Sequence, residues 1–156
     1  MTSCVPPPRV THSSQTEMRL SYAATKLEST VPTANLVGLI LVRAEQAMNK
    51  MTGLNVDWQD LGAEPPNDEA RLIARSLLVC TYASGLEPTV VTASSDSGIA
   101  ICFKKNGVYA DLECFNSGEV ASSVIDRQGT AYTWEIDQKE HSVTLAIDRI
   151  KQFLNA

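Results

Sequence analysis

Asp111 and Glu113 are the residues of this chain best suited by type and spacing to do chemistry. They stand two apart in a stretch whose hydrophobic period is two. On a strand both carboxylates leave the same face, roughly 7 Å apart by strand rise. Such a pair can hold a divalent cation or divide the roles of general acid and base. Both uses require further groups nearby. The strand pairing argued below sets Cys102 and Ser123 beside Asp111, and Ala100 and Ala121 beside Glu113. No third carboxylate, histidine or lysine adjoins the pair, so no metal site is expected, and a solvated acidic face is the simpler reading. Cys102 is a poor nucleophile, because a neighbouring carboxylate disfavours the thiolate. His12 and His141 are the only histidines. Neither is placed to serve a serine or cysteine nucleophile, and His141 reads as a surface residue at a helix start. No glycine-rich phosphate cradle occurs, so no nucleotide cofactor is expected.

The elements that position these residues are legible from periodicity. Thr33 caps a first helix over about Ala34 to Thr52, closed by Gly53, with Leu36, Ile40, Ala44, Ala47 and Met51 as its buried stripe; the rival reading is a strand through Leu39–Val42. A loop with Trp58 follows and ends in Pro65-Pro66; packing under that loop is the simpler reading of Trp58. Asn67 caps a second helix, whose Asp68 and Glu69 suit its positive end. Its stripe is Ala70, Ile73, Ala74, Leu77 and Cys80 or Thr81, and Gly85 ends it. From Thr89 to Asp137 the period becomes two. Turn signals fall at Ser95–Gly98, Asn106-Gly107, Asn116–Gly118 and Arg127–Gly129. Asn-Gly between alternating residues is the strongest short hairpin signal, because both positions adopt φ > 0. A last helix spans about Ser142 to Leu154, capped by Ser142, with Val143, Ile147, Ile150 and Leu154 or Phe153 inward.

The turns fix a register that can be checked for consistency. A two-residue loop at Asn106-Gly107 sets Phe103, Ile101 and Ile99 opposite Ala110, Leu112 and Cys114. Three-residue loops then add Val120, Ser122 and Val124, and Tyr132, Trp134 and Ile136, to the same face. A slip of one residue would scatter this apolar set, so the agreement supports the sheet. Trp134 reads as a core anchor and Cys80 and Cys114 as small buried hydrophobes. The expected fold is α+β: an antiparallel meander of four to five strands with helices packed on one face, in the order α-α-β-α.

Composition narrows the class. Among 156 residues, 44% are hydrophobic and 20% charged, enough apolar content for a packed core. Residues 1–33 hold four prolines and eleven serines or threonines and read as an irregular tail, with one amphipathic piece over Met18–Leu27. Residues 34–156 read as a single domain. The longest apolar run, Leu36–Val42, is far short of the roughly 20 residues of a membrane span. The start of the chain has no signal-peptide pattern, and the four cysteines have neither metal-ligand nor disulfide-framework spacing. A reduced, cytoplasmic protein is expected. The net charge of −5 opposes binding to phosphate backbones, and Lys104-Lys105 is too small a basic patch for nucleic acid. Arg43, Arg71 and Arg75 read as solvating helix faces. Residues 86–140 carry four basic and nine acidic side chains, so electrostatic preference should favour a basic partner.

Five segments carry a resemblance: Gly85–Thr89, Gly98–Ile101, Tyr109–Val120, Trp134–Ile136 and Arg149–Leu154. Together they resemble a group of small uncharacterised bacterial α+β proteins with the same run of segments. The resemblance covers about residues 67–154, and Tyr109–Glu119 is its most specific piece. It implies the fold and a bacterial origin, and it carries over no catalytic residue.

Two functional readings follow. In the first, the outer sheet face is a non-catalytic protein-interaction surface. Tyr109, Phe115 and Ile125 form an apolar patch among small side chains, rimmed by Asp111, Glu113 and Glu135. The partner would be a basic protein, as for an accessory, inhibitor or immunity-type subunit, or a second copy of the chain. The alternative is a small metal-assisted hydrolase or nuclease using Asp111 and Glu113.

Overall fold

The computed structural model describes residues 34–51, 64–137 and 140–156. The tail, both expected ends of the first helix at Thr33 and Gly53, and Trp58 lie outside the described residues. Among the described residues three helices, α1 (Ala34–Asn49), α2 (Asp68–Ala83) and α3 (Glu140–Asn155), accompany one five-stranded sheet. Its strands are β1 (Val90–Ser94), β2 (Gly98–Lys105), β3 (Val108–Phe115), β4 (Val120–Ile125) and β5 (Ala131–Glu135). They lie in chain order and every neighbouring pair is antiparallel. The chain is therefore α+β with a β-meander, in the expected order, and the meander has five strands.

The register is the one the turns imply. Ile101 faces Leu112, Leu112 faces Ser122, and Ser122 faces Trp134. Ile136 continues the last ladder by donating its N–H to the Val120 carbonyl at 2.8 Å. Asn106 and Gly107 both take positive φ, 51° and 78°, as a tight hairpin that follows the strand twist requires. The inner face carries Ile99, Ile101, Phe103, Leu112 and Val124, all essentially sealed from solvent. Trp134 joins this face only in part. It is half-buried near the sheet edge, with the Arg149 guanidinium 4.3 Å above its ring.

α2 and α3 cover that face, and α1 packs mainly on α2. Asn67 caps α2: its Oδ1 accepts the Ala70 N–H at 2.9 Å. At the other end the Leu86 N–H returns to the Thr81 carbonyl at 2.9 Å, which stops the helix at Gly85. Two helix expectations need correction. Leu36 is 45% exposed, and α1 closes at Asn49 and not at Thr52; its buried stripe is Ile40, Ala44 and Met48, with Met51 buried just past its end and Val37 and Ala47 partly buried. Leu36–Val42 is apolar on every side, so periodicity leaves the phase open and contact with α2 decides it. α3 starts at Glu140, which places Ser142 inside the first turn and not at the cap.

Candidate functional site

The outer face of the sheet brings the expected residues together in cross-strand rows. Tyr109 faces Ile125, which faces Ala131. Asp111 lies between Cys102 and Ser123, and Thr133 follows. Glu113 lies between Ala100 and Ala121, and Glu135 follows. Phe115 sits beside Gly98. The ladder puts Glu113 and Glu135 two strands apart, about 10 Å at the spacing of a sheet. Ile125 and Glu135 are exposed, whereas Tyr109, Asp111, Glu113 and Phe115 are half-buried.

The two carboxylates are not free in solvent. Ser123 donates to Asp111 twice over: its backbone N–H lies 3.0 Å from Oδ1, and its Oγ lies 2.9 and 3.0 Å from the two carboxylate oxygens. Glu113 accepts a hydrogen bond from the Ser94 hydroxyl on β1, although β2 lies between them. The crossing is possible because the intervening residues are small: Ala100 is Glu113's neighbour on β2, and Gly98, opposite Ser94, has no side chain. Burial pushes the Glu113 carboxyl above its ordinary value. The Ser94 bond opposes that rise, and the charges of Asp111 and Asp96 add to it.

Cys102 is 6% exposed despite its place on the outer face, and its Sγ accepts a hydrogen bond from the Tyr109 hydroxyl at 3.3 Å. Burial is the main reason its thiol pKa is raised; the Tyr109 bond opposes the rise and the two carboxylates reinforce it. The Tyr109 hydroxyl is also pushed upward, first by burial and then by Cys102 and Asp111. Both groups therefore hold their protons near neutral pH, and neither is an activated nucleophile.

Among the described residues, no three His, Cys, Asp or Glu side chains group in a way that could hold a metal ion. His141 is exposed in the first turn of α3. Ser94 is the site residue that reasoning from sequence missed. Its signal was the alternation of small residues at Gly98 and Ala100, which leaves room for a side chain to cross β2.

A second concave feature lies away from this face. A groove of about 360 Å³ opens between α1 and β1, lined among others by Arg43, Lys50, Tyr82 and Val90. Arg43 pairs with Glu87 and lies 5.1 Å from the Tyr82 ring centre. Arg75 pairs with Glu45, and the Arg71 Nε donates to the Pro66 carbonyl at 3.2 Å. These arginines thus have partners within the fold.

The geometry defines the class of molecule: an α+β domain with one helix-covered sheet face and one face bearing a fixed carboxylate pair. Comparison with protein-family models, curated proteins and solved structures gave no match. Among the described residues, no helix is long and apolar enough to cross a membrane.

Proposed function

We propose that the protein is a non-catalytic interaction module of a bacterial cytoplasm, which binds a basic protein partner through the outer face of its sheet. The observation that carries this reading is the carboxylate pair, which is held in place before any partner arrives. Asp111 and Glu113 are clamped by Ser123 and Ser94 in a half-buried setting. Fixed charges lose little side-chain entropy on association. Ala100 and Ala121 between the strands let another backbone approach, while Phe115, Tyr109 and Ile125 supply apolar contact. The acidic rim, extended by Glu135, favours a cationic partner and steers its encounter. An accessory, inhibitor or immunity-type subunit would use such a face.

The metal-assisted alternative lacks a third ligand among the described residues, and both carboxylates are already occupied by serines. The test is to place a photo-cross-linker at Ile125, identify the partner captured in the host, and titrate the purified pair. Phe115→Lys should weaken the complex at least tenfold with the circular dichroism unchanged, and affinity should fall as salt rises. Equal affinity in Phe115→Lys would refute the assignment of the face. Magnesium- or manganese-dependent shifts of the Asp111 and Glu113 carboxyl resonances, without any partner, would favour the hydrolase reading instead.

A further inference from the structure

We infer that β5 pairs with β5 of a second copy of this chain, antiparallel about Thr133, joining two five-stranded sheets edge to edge. The two sheet edges differ. β1 is preceded by Pro88 and flanked by α1 across the groove. β5 has no proline, no lysine and no bulge, Glu135 is its one charged residue, and its register runs unbroken from Ala121↔Glu135 to Ile125↔Ala131.

The hydrogen-bond pattern says which backbone groups point outward. The bonds from Ile136 N–H to the Val120 carbonyl and from Asp126 N–H to the Thr130 carbonyl assign the even-numbered positions of the β5 ladder to β4. The N–H and C=O groups of Ala131, Thr133 and Glu135 therefore face away from the sheet. Among the described residues none of these groups has a partner.

The strand is complementary to itself in one register. Centred on Thr133, the two-fold pairing sets Thr133 against Thr133 and Glu135 against Ala131, so the one charged residue of β5 never meets its copy. It also sets Tyr132 against Trp134 twice, at the close, non-hydrogen-bonded positions where aromatic cross-strand pairs are favourable. β5 lies at the margin of the helix layer: α3 packs mainly over β2, β3 and β4 and reaches β5 through Phe153 against the Tyr132 ring and Arg149 over the Trp134 ring, so the pairing must form beside these two contacts. This inference is independent of the outer-face reading.

The test is sedimentation equilibrium of the full chain from micromolar to millimolar concentration, with hydrogen exchange read at the β5 amides. The expected mass is twice 16.9 kDa at the upper end, with protection at Ala131, Thr133 and Glu135 that is lost on dilution. Thr133→Pro removes an outward N–H that the β4 ladder does not use, and it should halve the mass. Thr133→Lys sets two ammonium groups opposite each other at an exposed position and should do the same with the fold intact, which decides the matter if the proline variant fails to fold. A monomer throughout the range overturns the proposal. So does a dimer that survives in Thr133→Lys, or one whose odd-numbered β5 amides stay unprotected.

Discussion

Glu113 carries the clearest electrostatic cost on the outer face. Burial raises its carboxyl pKa above the usual 4.5, and Ser94 offsets only part of that rise. A carboxylate whose folded pKa exceeds its unfolded value binds more protons when folded. Its contribution therefore favours the fold below the unfolded value and is lost as pH climbs through the folded one. Glu113→Gln removes the buried charge and keeps an oxygen for the Ser94 hydroxyl. We predict a higher melting temperature than wild type at pH 7, with the difference closing as pH falls towards 4.5, read from thermal melts across that range. An unchanged melting temperature at neutral pH would mean that Glu113 is effectively solvated. At this scale the sequence was informative where partners sit directly across a ladder. Ser123 beside Asp111 follows from register alone. Ser94 beside Glu113 does not, because that bond is diagonal, spans β2, and depends on the absence of side-chain bulk.

Between residues and whole molecule, the elements divide by how much of their geometry is local. The register from β2 to β5 was legible because each turn restricts backbone angles and each slip would reverse the faces, whereas the pairing of β1 was left open and only the structure supplies it. The helices were legible in number and order, but less so in phase and ends. α1 is apolar all round its first turns, and its buried side is chosen by α2. The start of α3 was misplaced because Ser142 suits a cap by type, yet the helix already runs through it. One junction depends on contacts distant in sequence. The Asn67 N–H donates to Asn116 Oδ1 and the Asn67 amide donates to the Asn116 carbonyl, both at 2.9 Å. Asn116 Nδ2 donates in turn to the Pro65 carbonyl at 3.0 Å. The start of α2 is thereby fastened to the β3–β4 turn. Asn67→Ala should destabilise the protein by about 1–2 kcal/mol in urea unfolding, since it loses the cap and the side-chain bond to the Asn116 carbonyl while its backbone N–H still donates to Asn116 Oδ1. Asn116→Ala should lose the two bonds made by its own side chain and keep both the cap and the Asn67 bond to its backbone carbonyl. A double-mutant cycle should show coupling of at least about 0.5 kcal/mol; additivity would reduce Asn67 to a helix cap.

The layer order of the whole molecule sets how it opens. α2 lies between α1 and all of the sheet but β1, which α1 touches directly, and it buries Ala70, Ala74 and Leu78 completely. The inner sheet face is sealed by α2 and α3, so α1 can leave without uncovering Ile101, Leu112 or Val124. α1 gains little from its own ends, having no acidic residue in its first turn and no basic one in its last. It also keeps Leu36, Leu39, Leu41 and Val42 about half exposed, so apolar surface that drives the other elements inward contributes less here. Detachment of α1 then costs roughly the burial of Ile40, Ala44, Met48 and Met51, whereas opening β3 costs the entire core. Native-state hydrogen exchange should therefore divide the amides into two groups. Those of α2, β2 and β3 should open only with global unfolding and follow its denaturant dependence. Those of α1 should exchange through a cheaper opening with a weak denaturant dependence. Ile40→Ala should lower the α1 opening energy by the same amount as it lowers global stability, because both transitions break its contacts. Leu78→Ala, which damages the α2–sheet contact, should lower the global value most. If α1 and β3 amides instead converge on one free energy, α1 is an inseparable part of the cooperative core, and the exposed leucines do not mark a weakly held element.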